Sequence, residues 1–185
     1  LHYFPIEEDG ERQRDSWCGW HNDHSCLTAL CSSYYMDVRD ESYVEIACPD
    51  PDAGLYARTR TGKEMKVRSV ACVIAFAFCI LTHIFSVALD PIPRDCLAFQ
   101  IGESSQILTG GILRATPHAV QAVKYPESKY VCRDTLAVFM QPNHDLPMTP
   151  PEGVDEAKVA VGQWKPGQTY GEFSKVTIQY YYTDG

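Results

Sequence analysis

His21 and Asp23 have the types and the spacing needed to share a metal ion. The chain reads Trp-His-Asn-Asp-His at 20–24, and in a β-strand residues two apart point to the same face. The imidazole and the carboxylate could then bind one ion, with a third ligand from another strand. The pattern predicts part of a metal site. The alternative is a polar turn, because His-x-Asp also recurs by chance.

Three residues farther along the chain could complete such a site. His118 lies on a strand-like run after the turn at 109–111, and Arg133 and Thr135 are again two residues apart. A guanidinium beside a hydroxyl suits a dicarboxylate, because arginine offers paired N–H donors and threonine a further one. Singly, His118 is typical of a core histidine and Arg133 of a surface arginine. In this order, however, the residues favour the two-His, one-carboxylate triad of non-haem Fe(II) oxygenases.

The elements that must position these residues are mainly β. Short β-type runs are separated by turn-forming residues, a pattern typical of a sandwich or barrel. The predicted strands cover 25–31, 43–47, 55–59, 96–101, 112–120 and 135–140. Near the end of the chain, Thr169-x-x-Glu172 has the spacing of a capping box and predicts a closing helix over 173–182. A strand over 176–182 is the alternative.

Composition limits the class of protein. The 185 residues suffice for one domain, and a net charge of −8 without a basic stripe argues against a nucleic-acid partner. The eight cysteines form no CxxC motif, which argues against a zinc ribbon and favours a reduced compartment, taken here as the cytoplasm. Because the chain starts at Leu1 inside a strand-like stretch, we expect it to be part of something longer. We also expect a monomer.

Taken together, the motifs resemble the plant-type 2-oxoglutarate/Fe(II)-dependent dioxygenases related to isopenicillin N synthase. The resemblance covers 1–142 and corresponds to the C-terminal catalytic portion of those enzymes. It rests on five stretches: WHNDHSCLT at 20–28, GLY at 54–56, FQIGE at 99–103, TGGILRATPHAV at 109–120 and RDT at 133–135.

The resemblance implies a double-stranded β-helix, or jelly roll, of mainly β structure with a C-terminal helix. It implies that His21, Asp23 and His118 bind Fe(II), while Arg133 and Thr135 bind the distal carboxylate of the co-substrate 2-oxoglutarate. The implied reaction uses O₂ to hydroxylate or desaturate a small organic substrate and releases succinate and CO₂. The only implied partner is that small molecule.

Two departures from the family pattern bear on activity. Many relatives read Asn-Tyr-Tyr-Pro where this chain has His2, Tyr3, Phe4 and Pro5, so we expect a hydroxyl that helps to bind the co-substrate to be missing at Phe4. We also expect the family's N-terminal helical region, which forms part of the substrate pocket, to be absent from this chain. A truncated, non-catalytic relative is therefore the alternative function.

An apolar segment interrupts the resemblance. Of the 20 residues at 70–89, 17 are hydrophobic and none is Asp, Glu, Lys or Arg, which meets the length rule for a transmembrane helix. A single span would place His21 and Asp23 on one side of a bilayer and His118 on the other. The motifs therefore favour an insert over a membrane anchor at 70–89, although that anchor remains an alternative.

We accordingly predict a jelly-roll core at 1–142 that is interrupted by an apolar, helical insert at 68–91. A C-terminal loop and the closing helix follow at 143–185. Removal of the insert would restore a family-like strand connection. One hypothesis for its origin is an intron that is retained and read in frame; the alternative is an extra helix packed on the barrel.

Overall fold

The computed structural model describes residues 1–6, 16–40, 42–67, 69–72, 86–89, 92–124 and 126–183. The strands are β1 His2–Tyr3, β2 Ser16–His21, β3 Leu27–Leu30, β4 Tyr34–Asp37, β5 Val44–Ile46, β6 Gly54–Arg58, β7 Glu64–Lys66, β8 Ser69–Cys72, β9 Ser86–Leu89, β10 Ala98–Ile101, β11 His118–Gln121, β12 Val131–Asp134 and β13 Ala137–Met140. The α-helices are α1 Glu103–Leu108, α2 Glu156–Val159 and α3 Tyr170–Thr183, and a 3₁₀ turn covers Glu127–Tyr130.

Every strand pairing in the described part of the chain is antiparallel. Two four-stranded sheets have the orders β1-β12-β4-β5 and β2-β11-β6-β7, a three-stranded sheet has the order β10-β3-β13, and β8 pairs with β9. Strands far apart in sequence are therefore neighbours. This mainly β, antiparallel architecture is compatible with a jelly-roll fold.

Strand β3 shows the alternation between an inner and an outer face that a strand with one buried side requires. In β3, Thr28 and Leu30 are buried while Leu27 and Ala29 are only partly so. Near β12 and β4 a buried cluster forms around Tyr35, Val123 and Val131. Hydrophobic burial on the inner face thus holds the sheets together.

The C-terminal segment forms the helix α3, and the alternative strand over 176–182 is not found. The capping box is present, because the Glu172 carboxylate accepts from the Thr169 N–H at 2.9 Å and the Glu172 N–H donates to the Thr169 hydroxyl at 3.4 Å. Phe173 of α3 shares a buried cluster with Ile107 of α1. The cap starts the helix, and this apolar contact holds it against the rest of the domain.

The prediction of a helical insert over 68–91 is wrong at Ser69–Cys72 and at Ser86–Leu89, which form strands. Strands β8 and β9 pair as an antiparallel ladder in which Ser69 is opposite Leu89. β-branched residues such as Val70 and Val87 favour strands, and length and apolarity alone could not distinguish a strand pair from a helix. Residues 73–85 lie outside the described part of the chain. Among the described residues, no helix combines the length and apolarity needed to cross a bilayer.

The predicted strand over 112–120 is also too long. It begins only at His118, and 112–117 forms turn and irregular backbone. The short helix α1, which precedes this turn, has no counterpart in the sequence prediction. It contains six residues, too few to show helical periodicity.

Phe173→Ala should lower the free energy of unfolding by about 3–5 kcal/mol, because it removes a ring with 0% exposure and leaves a cavity. The matched control is Ile178→Ala on the same helix, where the side chain is 44% exposed; its effect should stay within about 0.5 kcal/mol. Urea denaturation followed by circular dichroism measures both. Equal losses in the two variants would contradict the packing described for α3.

Candidate metal centre

The register between β2 and β11 brings two histidines together. His21 is the last residue of β2, His118 is the first residue of β11, and the two are paired directly across the ladder. Their ring centroids are 4.2 Å apart. Asp23 follows two residues after the end of β2. The ligand atoms of His21, Asp23 and His118 all lie within 4.8 Å of one another, so the structure unites the three residues that the sequence predicts as metal ligands.

Backbone carbonyls orient both imidazole rings. The Nδ1 atom of His21 lies 2.8 Å from the Gly19 carbonyl oxygen, and the Nδ1 atom of His118 lies 3.0 Å from the Thr116 carbonyl oxygen. If each Nδ1 carries the proton and donates it, each Nε2 presents its lone pair. Both Nε2 atoms are 3.8 Å from the same Asp23 carboxylate oxygen. This arrangement is typical of histidines that bind a metal through Nε2.

The Asp23 carboxylate is also held from outside the triad. The Thr28 hydroxyl donates to the second carboxylate oxygen at 2.6 Å, and the Ser25 hydroxyl lies 3.1 Å from that of Thr28. Asp23 and Thr28 are 9% and 1% exposed. One carboxylate oxygen is therefore engaged by the protein, while the other faces the two imidazoles.

The helix α1 supports the segment that carries Asp23. The Glu103 N–H donates to the Asp23 carbonyl oxygen at 2.7 Å, and the buried Glu103 carboxylate accepts from the Asn22 side chain at 3.1 Å. Burial raises the pKa of Glu103 to about 7. Gly102 packs so closely that a Cβ atom there would lie 2.9 Å from the Asp23 carbonyl oxygen and closer still to that of Ser25. The sequence analysis did not predict this support. Gly102 was the residue that could have indicated a close backbone contact.

The two histidines have opposite pKa shifts. Burial lowers the pKa of His118, and the neighbouring His21 lowers it further. At His21 burial also acts to lower the pKa, but bonds to Cys18 and to the Gly19 carbonyl, together with the Asp23 charge, outweigh it and raise the pKa to about 9. The charge of Asp23 acts to raise the pKa of both rings, so this carboxylate favours a positive charge beside it. A divalent cation would supply that charge.

A cavity of about 1020 Å³ connects the triad to the second predicted pair of residues. Its lining includes His21, Asp23 and His118 together with Arg133 and Thr135. Arg133 lies in β12 and is 5% exposed. Its Nη2 donates to the Ser33 hydroxyl at 2.5 Å, whereas its Nε and Nη1 have no hydrogen-bond partner in the described part of the chain. A buried guanidinium with unpaired N–H groups is costly unless an acceptor binds it.

Thr135 is present in the cavity lining, but its hydroxyl is already engaged. It donates to the Cys31 carbonyl oxygen at 3.2 Å. A hydroxyl has a single hydrogen, so in this rotamer it offers only a lone pair to the cavity. Its predicted role as a further donor to a carboxylate remains a prediction.

The tyrosine paired with Arg133 is Tyr3, whereas the expectation of a missing hydroxyl concerned Phe4. Tyr3 is paired directly with Arg133 across the β1–β12 ladder and lines the cavity. The Arg133 guanidinium carbon lies 5.1 Å from the Tyr3 ring centroid. Phe4, which follows the end of β1, is 72% exposed. The family pattern alone could not reveal this register.

Burial keeps the cavity tyrosines neutral. It raises the pKa of the Tyr3 hydroxyl, although the nearby Arg133 acts in the opposite direction. Burial also raises the pKa of Tyr35, and the neighbouring Cys48 adds to this effect while Arg133 opposes it. Both groups therefore stay protonated at physiological pH and can donate a hydrogen bond. Sequence reasoning selected neither residue.

Comparison with known proteins supports the fold. No protein-family model matches the chain, and no curated protein matches it. Among solved structures, a full-length Neurospora crassa protein in complex with alpha-KG has a TM-score of 0.53 at 16% identity, over 96% of this chain and 42% of that one. The dioxygenase for auxin oxidation (DAO) in rice has a TM-score of 0.50 at 18% identity, over 89% and 41%.

The first of these proteins was solved with alpha-KG bound, and the second is named as a dioxygenase. The likeness at such low identity is one of fold. The chain spans less than half the length of the Neurospora crassa protein and of the rice enzyme. The His-Asp-His cluster is an observation on this chain and does not depend on the fold comparison.

Gly102→Ala should weaken metal binding, because the new Cβ atom meets the backbone at Asp23 and Ser25. Displacing Asp23 should lower the affinity for Mn²⁺ at least as much as the roughly 10–100-fold expected for the loss of an outer-shell partner. The matched control is Gly19→Ala in β2, where a Cβ atom would have nothing within 4 Å. Anaerobic isothermal titration calorimetry measures both. Unchanged affinity in the Gly102 variant would contradict the supporting role of α1.

Proposed function

We propose that the chain is the catalytic portion of a plant-type non-haem Fe(II)- and 2-oxoglutarate-dependent dioxygenase, related to isopenicillin N synthase. A single observation carries the proposal. The cluster of His21, Asp23 and His118 lines the same cavity as Arg133, whose buried guanidinium has two unpaired N–H-bearing nitrogens. A divalent cation and a carboxylate would satisfy these two features at once. We infer that the sheets form one double-stranded β-helix around this cavity.

The donor set fits Fe(II). Two imidazole nitrogens and one carboxylate oxygen leave further coordination positions open, as in non-haem iron oxygenases. His21, Asp23 and His118 would hold the ion. Bound Fe(II), with 2-oxoglutarate and O₂, supplies the oxidising chemistry. The protein contributes ligands that are already oriented, through the carbonyls of Gly19 and Thr116.

Arg133 would hold the distal carboxylate of 2-oxoglutarate. The unpaired Nε and Nη1 can donate charge-assisted hydrogen bonds, which are stronger than neutral ones. Tyr3 lies on the same side of the ladder and can donate from a neutral hydroxyl. Binding of the carboxylate would also remove the cost of burying an unpaired cation. The co-substrate would thereby be oriented with respect to the metal ligands.

The cavity can hold a second small molecule beside the co-substrate. Its volume of about 1020 Å³ is at the upper end of the range of roughly 300–1,000 Å³ for ligand pockets. Trp17, Leu30, Leu55, Val120 and Phe139 contribute apolar wall, which limits the access of water. We propose hydroxylation or desaturation of a small organic substrate, with release of succinate and CO₂. The Neurospora crassa protein has also been solved with 5-formyluracil, a small molecule.

A non-catalytic relative is the second candidate function. The observation that favours it is the engagement of the Thr135 hydroxyl, which already donates to the Cys31 carbonyl oxygen and so leaves the co-substrate one donor fewer. Such a protein could bind the metal and the co-substrate without converting a substrate. A cytoplasmic monomer remains our prediction for either candidate, based on the cysteine pattern and the composition.

Anaerobic addition of Fe(II) and 2-oxoglutarate should produce the metal-to-ligand charge-transfer band of the ternary complex. Asp23→Ala should abolish the band, because it removes the only carboxylate of the triad. The matched control is Asp145→Ala, whose side chain is fully exposed and which should leave the band unchanged. Absence of the band in the unmodified chain at saturating iron would overturn the proposal. If the band forms but exposure to air yields no succinate, the chain is the non-catalytic relative.

Titrating 2-oxoglutarate into the same complex tests the carboxylate site. Arg133→Met should weaken binding by about 30-fold or more, the equivalent of about 2 kcal/mol for a buried charge pair. Tyr3→Phe should cost about 0.5–1.5 kcal/mol, the value of one neutral hydrogen bond. The control is Phe4→Tyr, which adds a hydroxyl outside the cavity and should leave the affinity unchanged. A tighter complex in the Phe4 variant would show that the β1 register is wrong.

A further inference from the structure

A second group of metal-ligating side chains lies on the outer face of β1 and β12. We call His2, Cys132 and Asp134 the outer cluster. His2 is opposite Asp134 in the β1–β12 ladder, and Cys132 precedes Asp134 by two residues on one strand, so all three share a face. Arg133 points to the opposite side, into the cavity. The outer cluster is therefore separate from the residues of the proposed function.

The three ligand atoms are close enough to bind one ion. One atom from each side chain lies within 4.8 Å of the other two, and the His2 Nδ1 atom is 2.6 Å from an Asp134 carboxylate oxygen. Imidazole nitrogen, thiolate sulfur and carboxylate oxygen are all established ligands of Zn²⁺. Small side-chain rotations would widen the His2–Asp134 contact and admit an ion between them.

The burial of the cluster suits a cation that enters from solvent. Cys132 is 0% exposed, while the side chains of His2 and Asp134 are 35% and 43% exposed. The thiol forms the floor of the cluster, and the other two residues form its accessible rim. Three protein ligands would leave a fourth tetrahedral position open to water.

The charges of the outer cluster also favour the binding of a divalent cation. An exposed His–Asp pair by itself contributes little to stability. A bound metal ion stabilises the thiolate form of a cysteine ligand. On binding, the S–H proton passes to solvent, and the thiolate and carboxylate together neutralise the two positive charges.

We propose that His2, Cys132 and Asp134 form a Zn²⁺ site that ties β1 to β12. Strand β1 has only two residues, and one of them is Tyr3, which faces Arg133. An ion held by both strands would keep Tyr3 at the cavity wall. The site uses none of the proposed iron ligands, so zinc binding and iron binding can be tested separately.

Co²⁺ titration of the full chain tests the proposal, because a thiolate ligand produces a near-ultraviolet charge-transfer band that the His-Asp-His centre does not. We expect the band in the unmodified chain and also in Asp23→Ala. Cys132→Ser should lose it. Two control substitutions should leave the band unchanged. Cys96→Ser removes an exposed thiol, and Cys18→Ser removes the thiol that lies 3.5 Å from His21. Absence of the band in the unmodified chain, its persistence in Cys132→Ser or its loss in Cys18→Ser would overturn the proposal.

A second variant keeps the test decisive if Cys132→Ser does not fold. His2→Ala removes a partly exposed ligand at the rim and leaves the buried thiol in place. Its Zn²⁺ affinity, measured by competition with a chromophoric chelator, should fall by at least the roughly 10–100-fold expected for an outer-shell change. The increase in melting temperature on adding Zn²⁺ should be lost with it. Equal affinity in the variant and the unmodified chain would refute the site, whatever the outcome of the iron titration.

Discussion

The pairing of His118 with His21 across the β2–β11 ladder is the constraint on which the site depends. These residues are 97 positions apart in sequence, yet antiparallel pairing places them side by side. A shift of one residue would turn one imidazole to the other face. Strand β11 also pairs with β6 on its other side, so its register is held from both sides. The precision of the triad is therefore a property of the sheet.

Asp23 depends on a different kind of support. It lies beyond the end of β2, where no ladder bonds hold it. The Thr28 hydroxyl, the N-terminus of α1 and the close approach at Gly102 replace that ladder. The helix α3 reinforces the same segment, because the Ser174 hydroxyl lies 3.1 Å from the His24 ring. These contacts orient the Asp23 carboxylate although Asp23 is not part of a strand.

Successive side chains of strand β12 belong to two different proposed sites, because they alternate between its two faces. Arg133 faces the cavity beside Tyr3, whereas Cys132 and Asp134 face outward beside His2. Tyr3, rather than Phe4, lies next to the guanidinium, because Tyr3 is the residue paired with Arg133 in the ladder. One short ladder thus connects the proposed carboxylate site to the proposed zinc site, and the position of β1 matters to both.

By itself, the sequence determined the mainly β class, the closing helix with its Thr169–Glu172 cap, and the identity of the three residues that meet at the candidate metal centre. These depend on local pattern and on motif spacing, both of which are readable along the chain. The tertiary structure alone decided the inward position of Tyr3, the engagement of the Thr135 hydroxyl, the support from α1 and the strand pair at the ends of the apolar segment. Each of these depends on which strand lies opposite which, and that register is set by contacts between residues far apart in the sequence.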